Sequence, residues 1–253
     1  MISIIIPVLN EARTIRETLA HTMLNVAYPL SCECIIVDGG SNDNTFELVN
    51  EFKAAHPELV INPVRSTCGR ARQMNAGADI ARGEILYFLH ADSQPPWGFD
   101  SLIRKEVEKG NPAGCFRMKF DSNHWWLRLA GWLTKFSWRA CRGGDQSQFI
   151  TRELFDEIGG FDESYVIYED NIMINELFER KKFVVIQEWL TTSARLYEEK
   201  GIWYLQYHFW TIYVKKWMGA SADELYDYYN RNIRHKKSKK QIKAQRSKAI
   251  ASK

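Results

Sequence analysis

Ile2-Ser3-Ile4-Ile5-Ile6-Pro7-Val8 is an almost unbroken run of β-branched residues near the start of the chain. A strand with one wet face alternates apolar and polar residues, whereas a continuous apolar run is typical of a strand covered on both faces. Asn10 and Glu11 follow, where capping and the helix dipole favour a helix start, and Ile15 and Leu19 then recur at helical spacing. The stretch therefore predicts a buried strand followed by an amphipathic helix.

The same strand-helix unit recurs over roughly the first 120 residues. Further strands are predicted at Cys34–Val37, Leu59–Val64 and Glu84–Leu89, with helices near Phe46–Lys53 and over Arg70–Ala81. This alternation predicts an α/β fold with a Rossmann-like, mostly parallel sheet flanked by helices. After Gly114 the rhythm changes. The predicted elements there are strands at Ala113–Phe120 and Ser147–Ile150 and helices at Trp125–Trp138, Arg152–Ile158, Glu169–Arg180, Gly201–Met218 and Ala222–Ile233.

Composition limits the protein class. Of 253 residues, 45% are apolar and 26% charged, which excludes a disordered or collagenous chain. Five cysteines without a C-x-x-C pair argue against a disulfide framework or a zinc ribbon, and we expect a cytoplasmic location. The apolar run at Ile2–Leu9 is too short for a signal peptide, and no window of ~18 apolar residues predicts a membrane span.

Charge is distributed unevenly along the chain. The stretch from Arg231 to Lys253 has ten basic residues and no acidic one, leaving 24 basic against 31 acidic residues in the first 230. An acidic body argues against a nucleic-acid partner. We therefore predict one domain over residues 1–230, with a nucleotide-binding half at 1–112 and an acceptor-binding half with aromatic-rich C-terminal helices at 113–230, followed by a basic, disordered tail at 231–253.

Polar residues follow all four predicted strands of the first half. Because ligands bind at the carboxyl ends of parallel strands, this edge is the candidate site. Its residues are Pro7, Asn10 and Glu11 after the first strand, Asp38-Gly39-Gly40-Ser41 after the second, Gly69-Arg70 and Arg72 after the third, and His90-Ala91-Asp92 after the fourth.

Each of these groups also has a purely structural interpretation. Asp38 suits a hydrogen bond to a base or ribose, or a turn that needs its glycines. Arg70, in a first helical turn where cations are disfavoured, indicates a phosphate, or a surface salt bridge. Asp92 suits a divalent ion that carries a diphosphate, or a helix cap. No G-x-G-x-x-G follows a strand and no G-x-x-x-x-G-K-[ST] occurs, which argues against nicotinamide-dependent enzymes and P-loop ATPases.

Several motifs, taken in order, strongly resemble the family 2 glycosyltransferases over roughly residues 2 to 200. They are Ser3-Ile-Ile-Ile-Pro7-Val-Leu-Asn10-Glu11, Val37-Asp38-Gly39-Gly40-Ser41-x-Asp43-x-Thr45, Gly69-Arg70-Ala71-x-x-x-Asn75-x-Gly77 and Phe88-Leu89-His90-Ala91-Asp92, with Gly159-Gly160-Phe161-Asp162-Glu163 and Glu169-Asp170 completing the pattern. Gly69-Arg70-Ala71-Arg72-Gln73-Met74-Asn75 with Leu89-His90-Ala91-Asp92 is similar to a bacterial branch associated with arsenosugar biosynthesis.

The resemblance implies a GT-A fold, a nucleoside-diphosphate sugar donor, usually a uridine one, and transfer with inversion to an acceptor that the sequence does not identify. It implies a nucleotide site built from Pro7, Asn10, Glu11, Asp38, Gly39, Arg70, Gln73 and Ala91. Asp92 matches the last acid of the family's Asp-x-Asp metal motif, and Asp170 matches its catalytic base. His90 replaces the first acid of that motif, and imidazole is a better ligand for Mn²⁺ than for Mg²⁺.

The candidate bases lie in the second half of the chain. Glu169 and Asp170 begin a predicted helix, and a buried carboxylate beside another acid has a raised pKa, which helps it remove a proton near neutrality. The structural alternative is a charge pair that stabilises the helix N-terminus. Asp145 with Gln146 lines an acceptor pocket or caps a turn.

The aromatic helices leave three interpretations open. The clusters around Trp125–Trp138 and Trp203–Trp217 suit core packing, an acceptor platform for sugars, or peripheral contact with an anionic membrane at its inner face, near the basic tail. Two rival functions are a sugar-nucleotide pyrophosphorylase, whose Gly- and Lys-rich first strand exit is absent, and a non-enzymatic membrane-surface protein, which leaves the polar strand exits without a purpose.

Overall fold

The first half of the chain forms a parallel sheet covered by helices. The computed structural model describes residues 1–143 and 146–234. Its first elements are β1 (Ile2–Val8), α1 (Ile15–Leu24), β2 (Cys32–Asp38), α2 (Thr45–Ala55), β3 (Ile61–Arg65), α3 (Arg70–Ile80) and β4 (Ile85–Phe88). β1 pairs in parallel with β2 on one side and with β4 on the other, and β3 extends the sheet beyond β2. Strand order therefore reverses at β1, where the carboxyl ends of the strands open a crevice for a ligand.

The continuous apolar pattern of β1 has the expected cause. Ile4 and Ile6 pack in an apolar cluster on one face of the sheet, and Ile5 packs in a second cluster on the other face. All three side chains are fully buried, because helices cover both faces.

The chain from Ser93 to Thr192 adds antiparallel strands to the sheet. Its elements are β5 (Ser93–Gln94), α4 (Phe99–Glu108), β6 (Ala113–Phe120), α5 (Trp125–Leu133), β7 (Gln148–Thr151), α6 (Arg152–Ile158), α7 (Glu169–Glu179) and β8 (Val184–Thr192). β7 runs antiparallel to both β4 and β6, while β8 runs parallel to β6. The eight strands follow the order β3-β2-β1-β4-β7-β6-β8-β5, so the predicted α/β sheet is mostly parallel, with three antiparallel pairings.

Some predicted elements need correction. The aromatic helix ends at Leu133, five residues before the predicted Trp138, and a short 3₁₀ turn at Arg139–Cys141 follows. The sequence pattern does not predict α4 or β8. β8 escapes a pattern search because Gln187 and Glu188 interrupt its alternation where the register with β6 shifts.

The chain divides into two compact units. Unit 1 comprises residues 1–163 and 168–192, and the described part of unit 2 comprises residues 164–167 and 193–234. Unit 2 contains α8 (Arg195–Lys200), α9 (Ile202–Trp217), α10 (Ala222–Tyr229) and a π-helical turn at Asn230–Arg234. Ile233 in that turn is fully buried, so the packed part of unit 2 extends past Arg231, the predicted start of the tail.

The rest of the predicted tail, from residue 235, lies outside the described residues. In the part of the chain that the structure covers, no helix is both long and apolar enough to cross a membrane.

Candidate functional site

The loops after β1 and β2 are joined by a network of hydrogen bonds around Asp38. The buried Asp38 carboxylate accepts bonds from the Ser41 backbone N–H at 3.2 Å and the Ser41 hydroxyl at 2.5 Å. The backbone N–H of Asn10 donates to the Ser41 hydroxyl at 2.9 Å, and the Asn42 N–H donates to the Asn10 side-chain oxygen at 2.9 Å. Asn10 has a φ of 59°, a left-handed conformation that asparagine tolerates better than most residues. The two loops therefore hold each other in place.

Asp43 adds a second link between the same loops. Its carboxylate accepts hydrogen bonds from the Ala12 N–H at 3.2 Å, the Thr45 N–H at 3.0 Å and the Thr45 hydroxyl at 2.5 Å. The Glu11 N–H in turn donates to the Thr45 hydroxyl oxygen at 2.8 Å. Residues predicted to contact the nucleotide thus lie on a loop pair shaped by internal bonds.

Gln73 holds α3 against the ends of two strands. Its buried amide nitrogen donates to the Val8 carbonyl at 2.9 Å and to the Val37 carbonyl at 2.7 Å. A Cβ on Gly39 would lie 2.8 Å from the Gln73 side-chain oxygen, so only glycine fits there without a shift. The amide nitrogen of Gln73, a predicted nucleotide-binding residue, is therefore engaged with the strand ends.

Arg70 connects this edge of the sheet to two buried acids. It is the first residue of α3, and its Nη1 lies 3.3 Å from Glu169 Oε1 and 3.5 Å from Asp170 Oδ2. Both acids lie in the first turn of α7 and are buried, whereas the Arg70 side chain is 47% exposed. Among the described residues, neither Glu169 side-chain oxygen has a hydrogen-bond partner. The fold therefore brings two buried acids to one partly exposed cation, although Arg70 and Glu169 are 99 residues apart in the sequence.

The electrostatics of this cluster favour proton exchange. Burial, followed by the charge of Asp170, raises the pKa of Glu169 to about 7, against the opposing effect of Arg70. Burial also raises the pKa of Asp170, again opposed by Arg70. Burial and the Arg70 charge hold the pKa of His90 well below its usual value, so the imidazole is neutral at pH 7. His90 Nε2 lies 3.9 Å from Asp170 Oδ2, too far for a hydrogen bond.

A narrow cavity lies beside Asp170. It is lined by Phe88, His90, Gly143, Ser147, Gln148, Asp170 and Ile174. The sequence pattern does not reveal Gln148, because a polar residue at a strand start carries no signal until β7 pairs with β4 and buries it. The pattern also does not reveal Tyr168, whose φ of 74° immediately before Glu169 places a strained residue at the start of α7.

The other predicted residues are spread around the same edge. Pro7 lies in β1, and the Ala91 carbonyl accepts a hydrogen bond from the Thr18 hydroxyl at 2.6 Å. Asp92 follows two residues after His90, but within residues 1–143 and 146–234 no three or more His, Cys, Asp or Glu side chains are grouped to hold a metal. Asp145, a predicted catalytic residue, lies outside the described residues, and Gln146 beside it is buried and bonded to Arg142 at 2.6 Å.

Comparison with known proteins decides the family. The model of the family described as "Glycosyl transferase family 2" matches residues 3–162, most of the segment that forms this site. The chain belongs to glycosyl transferase family 2. A PGL/p-HBAD biosynthesis glycosyltransferase of Mycobacterium bovis is 37% identical over 176 residues, which cover 67% of this chain and 66% of that protein. The chain spans less than half of the length of the first curated relatives it matches, 31% and 46%.

Solved structures extend the comparison to the fold of this family 2 chain. The mannosyltransferase PcManGT from Pyrobaculum calidifontis, in complex with GDP-Man and Mn²⁺, has a TM-score of 0.65 at 19% identity and covers 96% of this chain and 67% of its own. S. aureus TarS in complex with UDP has a TM-score of 0.61 at 16% identity, covering 76% of this chain and 60% of its own. The predicted GT-A fold and the predicted family are both confirmed.

Proposed function

We propose that this family 2 protein is an inverting glycosyltransferase that moves a sugar from a nucleoside-diphosphate sugar to an acceptor hydroxyl. One observation carries the proposal: Arg70, His90, Glu169 and Asp170 converge at the carboxyl edge of the parallel sheet. Family membership supports a donor of this class, and the two structural neighbours are complexes with GDP-Man and with UDP.

Asp170 is the proposed base in the transfer. Inversion needs a base on the side of the anomeric carbon opposite the departing diphosphate. Burial of Asp170 raises its pKa, which makes the carboxylate a stronger proton acceptor, while the Arg70 charge opposes that rise. Glu169, with a pKa of about 7, is partly protonated at neutral pH and limits the charge of the pair. Asp145 is the alternative base if neither acid of α7 accepts the proton.

The loop pair after β1 and β2 is the proposed seat of the nucleoside. Pro7, Asn10, Glu11, Asp38 and Gly39 would surround the base and ribose. The remaining proposed nucleotide residues are Arg70, Gln73 and Ala91. Arg70 is half-exposed and near the site edge, so its guanidinium can also reach a phosphate oxygen. We favour uridine as the base because of the motif resemblance.

A divalent cation, Mn²⁺ or Mg²⁺, fits the residues at the end of β4. His90 is neutral, so its ring nitrogen is available as a ligand, and Asp92 supplies a carboxylate two residues later. These two protein ligands leave positions for diphosphate oxygens and water, and an imidazole ligand favours Mn²⁺ over Mg²⁺. The cation would offset the negative charge that develops on the leaving diphosphate.

We also propose that the acceptor is met at an anionic membrane surface. The ten basic residues between Arg231 and Lys253, without an acidic one, support an electrostatic attraction to such a surface. This proposal leaves the chemistry of the acceptor open.

Titration calorimetry with uridine, guanosine and cytidine diphosphates, each with Mn²⁺ and with a chelator, tests the donor and metal assignments. We expect uridine diphosphate to bind most tightly, and more tightly with Mn²⁺. Asp92→Asn should remove the Mn²⁺-dependent gain, and Glu108→Gln, which removes an acid at the end of α4, is the matched control. Equal affinity with and without the chelator would refute the metal role of Asp92, and no binding of any nucleotide would refute the proposed function.

A further inference from the structure

Tryptophan is unusually exposed in this protein. All nine tryptophans lie in the described residues, and seven of them are between 46% and 87% exposed. Tryptophan is ordinarily among the most buried side chains on average, because its large apolar ring is costly to hydrate. So many exposed rings on one chain indicate a surface that is covered by something else in use.

Five exposed apolar side chains on α9, four of them aromatic, form a continuous stripe. Successive members are four and three residues apart, which places them within an arc of about 80° along about 21 Å of helix. The exposed members of this α9 stripe are Trp203, Tyr207, Trp210, Val214 and Trp217. Trp217, at 87%, is the most exposed tryptophan.

The opposite face of α9 already packs inside unit 2. Leu205, His208 and Ile212 are buried and lie on the far side of the helix from the stripe. His208 Nδ1 lies 2.6 Å from the Tyr228 hydroxyl of α10, which holds that face in place. Core packing therefore accounts for only one side of α9.

The charges of this part of the chain favour an anionic partner. Lys215 and Lys216 are the only charged residues of α9, and they lie on the side of the helix away from the stripe, over the rings of Tyr228 and Tyr165. The stretch from Arg231 to Lys253, which follows α10 in the sequence, has ten basic residues and no acidic one. Tryptophan and tyrosine together with basic residues are the composition of helices that lie at the boundary between lipid headgroups and acyl chains. At 16 residues, or about 24 Å, α9 is also shorter than the ~30 Å that a membrane span requires.

We infer that the α9 stripe docks on an anionic lipid surface, with the helix lying in the plane of the membrane. The rings enter the headgroup boundary, and the net positive charge of residues 231–253 attracts anionic lipid. Docking by α9 deepens the proposed membrane contact. It can fail while the transferase function holds, because vesicle binding requires no sugar donor.

Cosedimentation of the full-length protein with vesicles tests the inference. One set of vesicles contains phosphatidylcholine alone, and the other also contains phosphatidylglycerol. We expect binding to the anionic vesicles, with a blue shift of tryptophan fluorescence as the rings leave water. Trp210→Glu with Trp217→Glu should weaken this binding at least tenfold and leave the melting temperature unchanged, since both side chains are exposed.

Trp97→Glu is the matched control. Trp97 is 74% exposed but belongs to unit 1 and not to α9, so its substitution should leave vesicle binding unchanged. Binding that is equal in wild type and the double variant would overturn the inference. Failure of the wild type to bind anionic vesicles would also overturn it. A wild-type dimer in light scattering that the double variant does not form would overturn it too, because the stripe would then bind a second copy of the chain. Nucleotide binding by the same double variant separates these outcomes from failure of the transferase function.

Discussion

The site contains two pairs of carboxylates that differ in their hydrogen bonding and burial. The carboxylates of Asp38 and Asp43 accept hydrogen bonds from serine and threonine hydroxyls and from backbone N–H groups of the loop after β2. Glu169 and Asp170 begin a helix, are buried, and have one partly exposed arginine between them. The first pair therefore holds the loops of the site in place, whereas burial raises the pKa of both acids in the second pair.

The contrast follows from what burial costs a charge. A carboxylate that accepts several hydrogen bonds is stabilised as the anion. A buried carboxylate without them is destabilised as the anion, so its pKa rises and the group becomes useful for moving a proton. Because both pairs lie in unit 1, single substitutions in each can test whether the division into shaping and reacting acids is correct.

The largest effect is expected for Asp170→Asn. This change keeps the shape but removes the proposed proton acceptor, so turnover should fall about 10²- to 10⁴-fold, the usual contribution of general-base catalysis. Donor affinity should barely change, because the base faces the acceptor. Release of uridine diphosphate in the presence of an acceptor, followed at several donor concentrations, measures both the turnover and the apparent affinity for the donor.

Glu169→Gln is the control for that step and should cost much less. If Glu169→Gln is inactive while Asp170→Asn turns over like wild type, the base is Glu169. Full activity in both variants would remove the α7 acids from the mechanism and make Asp145 the next residue to test.

Asp38→Ala should weaken nucleotide binding by about 1–3 kcal/mol, the cost of leaving a buried hydrogen-bond donor of the nucleotide base without its partner. Calorimetry with uridine diphosphate measures this loss. Asn42→Ala, an exposed change in the same loop, is the matched control. Unchanged affinity together with an unchanged melting temperature would make Asp38 a turn residue only.

Glu169 predicts a pH dependence of stability with a definite sign. Its pKa is raised from 4.5 to about 7 in the folded state, so folding is favoured when the group is protonated. The resulting stabilisation is complete below about pH 4.5 and is lost as pH rises through 7. Glu169→Gln, which stays neutral, should therefore exceed wild type in unfolding free energy at pH 8 and match it more closely at pH 5.

Urea unfolding at the two pH values measures that difference. Glu163→Gln is the control, because it makes the same chemical change at a carboxylate that is about half exposed. A Glu169→Gln variant with the same pH dependence as wild type would contradict the raised pKa.

Asp43→Ala is expected to have the smallest effect of the four. It removes hydrogen bonds to Ala12 and Thr45 that are only part-buried, so the free energy of unfolding should fall by about 1 kcal/mol. Thermal unfolding measures the loss against Asp79→Ala, an exposed acid on α3. A loss no larger than that of Asp79→Ala would show that the loop pair does not depend on Asp43.

Local pattern was sufficient for much of the fold and for one half of the site. The apolar runs of β1, β2 and β4 show burial on both faces, since only a covered strand tolerates such a run. The positions of Asp38 and His90 after those strands place them at one edge, because parallel strands share the direction of their carboxyl ends.

Tertiary structure decided the other half. Pairing of β7 against β4 buries Gln148, and the approach of α3 to α7 brings Arg70 to Glu169 across 99 residues of sequence. Neither follows from periodicity, since the contacts depend on where distant elements pack. The two faces of α9 are a similar case. The sequence determines that both faces are apolar. Only packing against α10 determines which face is buried and that the α9 stripe stays exposed. The physical reason is that hydrophobicity favours burial of an apolar face without specifying the surface that buries it.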